Sequence, residues 1–274
     1  MPPLAASNAR VKEARRLSRR SVRTERRLFL ADGPKAVEAA LRRRVALEVF
    51  VTTAAADQYA ALVAAAPRAS YVDERALGSL SDSVTPAGIV AVCSFVDVAM
   101  AEALGDRTDV DDRLVAIAAD VRDPGNAGTL IRTADALGAR SVVLAGRTVD
   151  LYNPKTVRAS VGSVFHLPVA LLPDAATTVA SARVAGLVVL AADGAGELTL
   201  DEAADLLSGP TAWLFGNEAW GLPPELAGLA DHRVRIPITG AAESLNLSTA
   251  AAICLHETVR VRRQLNQRPS GHPW

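Results

Sequence analysis

Three stretches of this 274-residue chain place polar side chains where an apolar run gives way to a turn. The first is ADVRDPGNAGTLIRTADALGA, residues 119–139, with Asp120, Asp123, Asn126 and Arg132. The second is WLFGNEAWGLP, residues 213–223, with Gly216, Asn217 and Glu218. The third is RIPITGAAESLNLSTAAAICLHE, residues 235–257, with Ser244, Asn246, Ser248 and Thr249. A guanidinium such as Arg132 can hold a phosphate or steady developing oxyanion charge. A glycine at a strand end, as at 216, lets the backbone pass close to a ligand. Small polar residues before a helix leave free N–H groups and a positive dipole end for an anionic group. Each stretch also has a plain structural reading. Ser and Asn cap helices, and Glu218 can be a solvated carboxylate or a cap.

Several other chemistries are poorly supported. Gly125 and Gly128 lack the spacing of a dinucleotide fingerprint, as does DGAGEL at 193–198, and no Lys-Ser/Thr follows a glycine loop. Ser244 has no evident His–Asp set for hydrolysis. His166 and His256 stand apart, and Cys93 and Cys254 lie in apolar runs without metal spacing, so no metal is expected and both thiols read as buried and reduced.

The elements that must position these residues follow from periodicity. Residues 113–264 alternate apolar runs with helical patterns, the signature of a mostly parallel sheet. Strands are expected at 114–119, 141–144, 166–171, 187–191, 212–215 and 234–238. Helices are expected at 128–137, 154–160, 175–185, 200–207 and 224–229, and from 247 to about 263. Residues 28–96 read as a smaller α/β unit, with a turn at Thr85–Gly88 that can touch RNA. Residues 97–112 turn acidic and weakly patterned, as a linker does, and 265–274 form a polar tail.

Lys+Arg and Asp+Glu both number 30, so no global field draws the chain to nucleic acid. The first 27 residues differ. Arg10, Arg15, Arg16, Arg19, Arg20 and Arg23 crowd a basic helical arm with few acids, and phosphate binding is its obvious use. No apolar run spans a bilayer. The Arg-rich start can mimic an organellar transit peptide, but a bacterial cytoplasmic location is the preferred reading.

All three stretches, in order and spacing, resemble the SpoU (TrmH) family of RNA 2′-O-ribose methyltransferases in the SPOUT superfamily. The residues that carry it are Asn126 through Arg132, Phe215–Leu222 and Ile236–Ser248. Ala219 stands where many relatives have Gly. Residues 28–96 are similar to the family's L30e-like substrate-binding domain. Periodicity alone gives an open doubly wound sheet, since true knots are essentially absent. The resemblance instead implies a deep trefoil knot joining the 213–222 and 236–248 loops, and a homodimer.

It also implies S-adenosyl-L-methionine as cofactor, held by Leu214, Gly216, Asn217, Ile236, Leu245 and Asn246, largely through backbone groups. The implied reaction is methyl transfer to a ribose 2′-OH of structured RNA. The family's proposed base falls on Arg132; Asn126, Glu218, Ser244 and Asn246 would orient it, the ribose or the cofactor. 23S rRNA is the favoured substrate. A tRNA substrate, a non-catalytic ribosome-assembly protein and a nucleotide-binding α/β enzyme of another class are the alternatives.

Overall fold

The structure, a computed structural model, describes residues 2–105 and 112–267. It divides into two compact units. One gathers the residues up to Val96 with Ala127–Arg132 and Asp150–His166; the other gathers Asp97–Asn126, Thr133–Val149 and Leu167 onward.

In the first unit, β1 (Leu28–Asp32), β2 (Ala46–Thr52), β3 (Ala69–Val72) and β4 (Ile89–Ser94) form a sheet ordered β1-β4-β2-β3. β4 runs antiparallel to β1 and β2, and β2 pairs parallel with β3. Helices Ala9–Arg15 and Arg20–Arg26 precede it, joined by a tight turn at Arg16–Ser18. Their sparse apolar residues, Val11, Ala14, Leu17 and Val22, are buried in one cluster with Leu30, Phe50, Val90 and Val92. The basic segment is therefore packed on this unit's core. Phe29, Phe95, Tyr152 and Phe165 form a second, aromatic cluster, and the Val96 N–H donates to the Tyr152 hydroxyl at 2.7 Å.

Arg23 corrects one expectation. It is 3% exposed and turned inward, so it cannot face RNA. Its guanidinium pairs with Asp150 and donates to the Leu17 and Ser18 carbonyls, each at 2.8 Å. Removing one partner of a buried pair strands the other charge, at about 3–5 kcal/mol. Arg23→Ala should therefore lower stability by about 3 kcal/mol, read as a shifted urea midpoint.

The second unit holds a seven-stranded sheet of β5 (Leu114–Ala119), β6 (Ser141–Ala145), β7 (Val169–Leu172), β8 (Val188–Ala192), β9 (Leu198–Thr199), β10 (Thr211–Phe215) and β11 (His232–Arg235). Its order is β7-β6-β5-β10-β8-β11-β9, with every pairing parallel. β5, β6 and β10 are buried along their whole length, as expected where helices cover both faces. The Trp213 indole N–H donates to Thr258 Oγ1 at 2.9 Å, tying β10 to the Leu247–Gln267 helix. Cys93, in the first unit, and Cys254 are free and buried, and burial pushes both thiols well above the usual range. Among the described residues no helix is long and apolar enough to cross a membrane.

Several boundaries move for local reasons. β11 ends at Arg235, before Pro237, which has no N–H to give to a ladder. β7 starts at Val169 because Ser163–Phe165 forms a tight turn. Residues 200–207 fold as turns ending in Leu206–Ser208. A short helix, Met100–Leu104, lies inside the expected linker, whose residues 106–111 fall outside the described residues. Residues 265–267 continue the last helix, and 268–274 of the expected tail are again outside the described residues.

In an open parallel sheet, ligands gather beyond the carboxyl ends of the strands where the order of connection reverses. Here the chain steps outward from β5 to β6 and β7, then returns to fill the other side with β8, β10 and β11.

Candidate active site

The first motif starts one helical turn earlier than its glycines suggest. Asp123 caps the helix by accepting from the Asn126 N–H at 2.8 Å, and Pro124 occupies the first turn, where a missing N–H is harmless. Pro124-Gly125-Asn126 thus opens the Pro124–Ala136 helix, and Arg132 sits in its third turn. Just upstream, Asp120 adopts a left-handed backbone, φ 54°. Its carboxylate accepts from the Arg147 N–H at 2.6 Å, and its carbonyl accepts from Asn217 Nδ2 at 2.6 Å.

The second motif is a closed loop. Asn217 and Gly221 exchange two backbone hydrogen bonds of 2.9 Å, and the Ala219 N–H donates to Asn217 Oδ1 at 2.8 Å. The left-handed position is Gly221, φ 70°, whereas Ala219 lies outside that region, so an alanine is accommodated there. The loop presents Glu218, whose carboxylate accepts from the Arg122 and Asp123 N–H groups at 3.2 Å and from Asn126 Nδ2 at 3.1 Å. A carboxylate at these N–H groups also meets the positive end of the helix dipole.

The third motif closes the ring. Asn246 caps the last helix through the Ser248 N–H, at 2.8 Å, and gives its own Nδ2 to Asn126 Oδ1 at 3.0 Å. Ser248 Oγ donates to the Asn126 carbonyl at 3.1 Å. Asn126 therefore joins all three motifs, donating to Glu218 and accepting from Asn246. Because the same side chain serves both neighbours, Asn126→Ala and Asn246→Ala should be non-additive in thermal unfolding, with a coupling of about 0.5–3 kcal/mol. The Asn126→Ala protein should also lose activity while remaining folded, checked by circular dichroism beside the activity assay.

Beyond the ends of β8, β10 and β11 lies a cavity of about 380 Å³. Such a volume is in the range that holds a small organic ligand. Phe215, Ile236, Ile238, Leu245 and Leu247 supply apolar lining. Asp193, Glu218 and Glu243 supply carboxylates, and the described lining residues include no Lys or Arg. Among the described residues no cluster of side chains could hold a metal ion.

Of the residues singled out from sequence, Gly216, Asn217, Glu218, Ile236, Ser244 and Leu245 line this cavity. Leu214 has its side chain fully buried in the sheet's core, so only its backbone could meet a ligand, and Phe215 takes the lining position. Asn126 and Asn246 belong to the hydrogen-bonded ring, outside the lining set. Arg132 is exposed, and among the described residues its guanidinium has no hydrogen-bond or ion-pair partner. Asp193, Glu243 and Trp220 also line the cavity without having been assigned a role. Asp193 directly follows strand β8, and that place at a strand end is its signal in the sequence.

Residues 113–256 match the SpoU rRNA Methylase family, and residues 8–91 match the MRM3-like substrate binding domain. The chain is 32% identical to the 23S rRNA (guanosine(2553)-2′-O)-methyltransferase RlmP of Bacillus subtilis, over 92% of this chain and 96% of that protein. Its structure is similar to the SpoU methyltransferase AviRb from Streptomyces viridochromogenes in complex with AdoMet, TM-score 0.82 at 30% identity, covering 94% of this chain and all of that one (100%). An AdoMet-bound rRNA methyltransferase from Sinorhizobium meliloti gives TM-score 0.79 at 33% identity, covering 93% and 95%.

Proposed function

The chain belongs to the SpoU rRNA methylase family, and on that premise we propose that it methylates a ribose 2′-OH of 23S rRNA with S-adenosylmethionine as donor. The observation that carries this reading is the acidic, partly apolar cavity at the strand ends. S-adenosylmethionine has a sulfonium and an ammonium against one carboxylate. A wall with Glu218 and Glu243, with Asp193 beside them paired to Arg233 at 3.9 Å, and with no Lys or Arg among its described lining residues suits that charge. A nucleotide phosphate would meet repulsion there, which disfavours the reading as a nucleotide-binding enzyme of another class. Calorimetry tests this directly: S-adenosylmethionine should bind, and ATP and NAD should not.

Gly216, Asn217, Ile236 and Leu245 would hold the donor, the apolar side chains against its adenine and the carboxylates near its cationic end. Bound S-adenosylmethionine supplies an electrophilic methyl carbon on a good leaving group. The protein's task is then alignment, with the ribose oxygen brought within about 3–3.5 Å of the methyl carbon in line with the C–S bond. Arg132, cationic and unpaired among the described residues, would hold the ribose phosphate and steady the oxygen as its proton passes to solvent water and the methyl group leaves the sulfur, giving S-adenosylhomocysteine. Glu218, Asn126 and Asn246 hold the loops that frame this reaction, and Ser244 stands in the cavity wall to orient ribose or donor. The 2′-OH requirement separates RNA from DNA.

The named rRNA enzymes among the relatives favour 23S rRNA over tRNA. A substrate-binding part followed by a transfer part at 113–264 is supported by the two family matches, 8–91 and 113–256; the first begins inside the basic arm of residues 1–27, so that arm goes with the 28–96 unit, and 97–112 links the two parts. A trefoil knot through the 213–222 and 236–248 loops is supported by β10 lying between β5 and β8, and by both loops lining one cavity. A homodimer and a cytoplasmic location rest on the family resemblance and on the rRNA substrate.

Within the basic segment, Arg15, Arg19 and Arg20 are exposed and unpaired among the described residues. Arg16 is shared with Glu13, and Arg10 with Glu48. Arg26 and then Arg16 hold the Glu13 carboxyl below its usual range. Deleting residues 1–27 would strip the core of Val11 and Leu17, so charge removal is the cleaner experiment. Replacing Arg15, Arg19 and Arg20 by Gln should weaken RNA binding and flatten its salt dependence, with the log–log slope falling by up to about 2. Filter binding at several salt concentrations reads both.

A further inference from the structure

Trp220 stands on the lip of the acidic cavity, 59% exposed. Most large aromatic side chains bury their surface; this one leaves over half of its own in water. Its position is not slack. The two hydrogen bonds between Asn217 and Gly221 fix the backbone on either side, and Asn217 is itself anchored to the Asp120 carbonyl. Glu218, two residues away, is held by two backbone N–H groups and Asn126. These hydrogen bonds fix the loop and hold the indole out at the mouth.

What can rest against that indole follows from charge. Glu218 and Glu243 give the cavity wall acidic groups, Asp193 adds a third that pairs with Arg233 at 3.9 Å, and no Lys or Arg is among the described lining residues. A phosphate held at this lip would meet like charge, whereas the base of a nucleotide is neutral and has an aromatic face. Phe215, the other aromatic in the lining, is only 2% exposed and cannot stack on an incoming group. We propose that Trp220 is the stacking platform for the base of the nucleotide whose ribose is methylated. This rests on the methyltransferase reading and deepens it. The cavity holds the donor, and the indole at its mouth sets where the acceptor base lies. Stacking tolerates any base, so Trp220 would fix position more than sequence.

The experiment uses the full chain, labelled S-adenosylmethionine and a 23S rRNA transcript, with wild type, Trp220→Ala and Trp220→Phe in parallel. Stacking predicts a KM for RNA raised about tenfold or more in the alanine variant and largely restored by phenylalanine. S-adenosylmethionine affinity by calorimetry and oligomeric state by sedimentation should not change. An unchanged KM overturns the proposal. So does a change confined to donor affinity, which makes Trp220 a wall of the donor cavity, or to oligomeric state, which makes it a contact between copies. Wild type that transfers no methyl group and binds no donor sinks the functional reading instead. Quenching of indole fluorescence by the same RNA then decides the stacking separately: it should be present in wild type and lost in Trp220→Phe, and its absence overturns it.

Discussion

Arg132→Ala is expected to lower kcat for methyl transfer by about 10²–10⁴-fold while leaving S-adenosylmethionine affinity within about twofold. The side chain is exposed on the Pro124–Ala136 helix and makes no hydrogen bond or ion pair among the described residues, so its loss removes nothing that holds the fold together. The melting temperature should be close to that of wild type. Arg132→Lys separates two roles. A guanidinium stays protonated in proteins, with pKa above about 12, so it is poorly suited to accept the ribose proton. If it acts by holding a phosphate and steadying the oxyanion, lysine keeps the charge, loses the bidentate fork, and should recover part of the rate. Single-turnover assays with saturating RNA read kcat apart from binding.

Gly216→Ala should strongly weaken donor binding. A Cβ there would lie 2.3 Å from the Gly221 carbonyl carbon, 2.4 Å from its oxygen and 2.5 Å from the Leu222 nitrogen. All three are backbone atoms of the loop that presents Glu218, so none can swing aside as a flexible side chain would. The Asn217–Gly221 pairing must open, and the Glu218 clamp on Arg122, Asp123 and Asn126 should loosen with it. Overpacking of this kind costs about 1–3 kcal/mol. The expected result is a folded but less stable protein whose affinity for S-adenosylmethionine falls at least about 100-fold, as a loss near 3 kcal/mol implies. Calorimetry gives the affinity and a thermal melt gives the stability.

Much of the fold was legible because the apolar runs are unambiguous. LVAIAA, SVVLA and TAWLF are buried from end to end, and their alternation with helical patterns is what points to a parallel sheet covered on both faces. Two-residue β9 was too short to signal, and the order that inserts β10 between β5 and β8 is a long-range property no local pattern records. The start of the Pro124–Ala136 helix was misplaced because Pro-Gly-Asn reads as a turn. The Asp123 cap makes it a first helical turn instead. Gly128, read as a helix opener, sits inside that helix, where a Cβ would lie 2.4 Å from the Thr156 carbonyl oxygen.

The candidate site was legible as three polar strand ends, and the structure joins them through Asn126, Glu218, Asn246 and Ser248. Charge counting could not tell Arg23 from its neighbours. Its burial depends on Asp150, 127 positions away, and no local window holds both. Asp193 and Glu243 were passed over because a carboxylate in a loop looks solvated until the fold turns it into a cavity.

The central claim is methyl transfer to a ribose, and one assay tests it most directly. Purified protein would be incubated with methyl-labelled S-adenosylmethionine and, separately, unmodified 23S rRNA and tRNA transcripts, with Arg132→Ala beside the wild type. The account predicts label in the 23S rRNA, recovered in an alkali-resistant dinucleotide because a 2′-O-methyl group blocks cleavage at that ribose, and lost in the variant. Label in an alkali-sensitive position, or label in neither RNA from a protein that binds no S-adenosylmethionine, would contradict it.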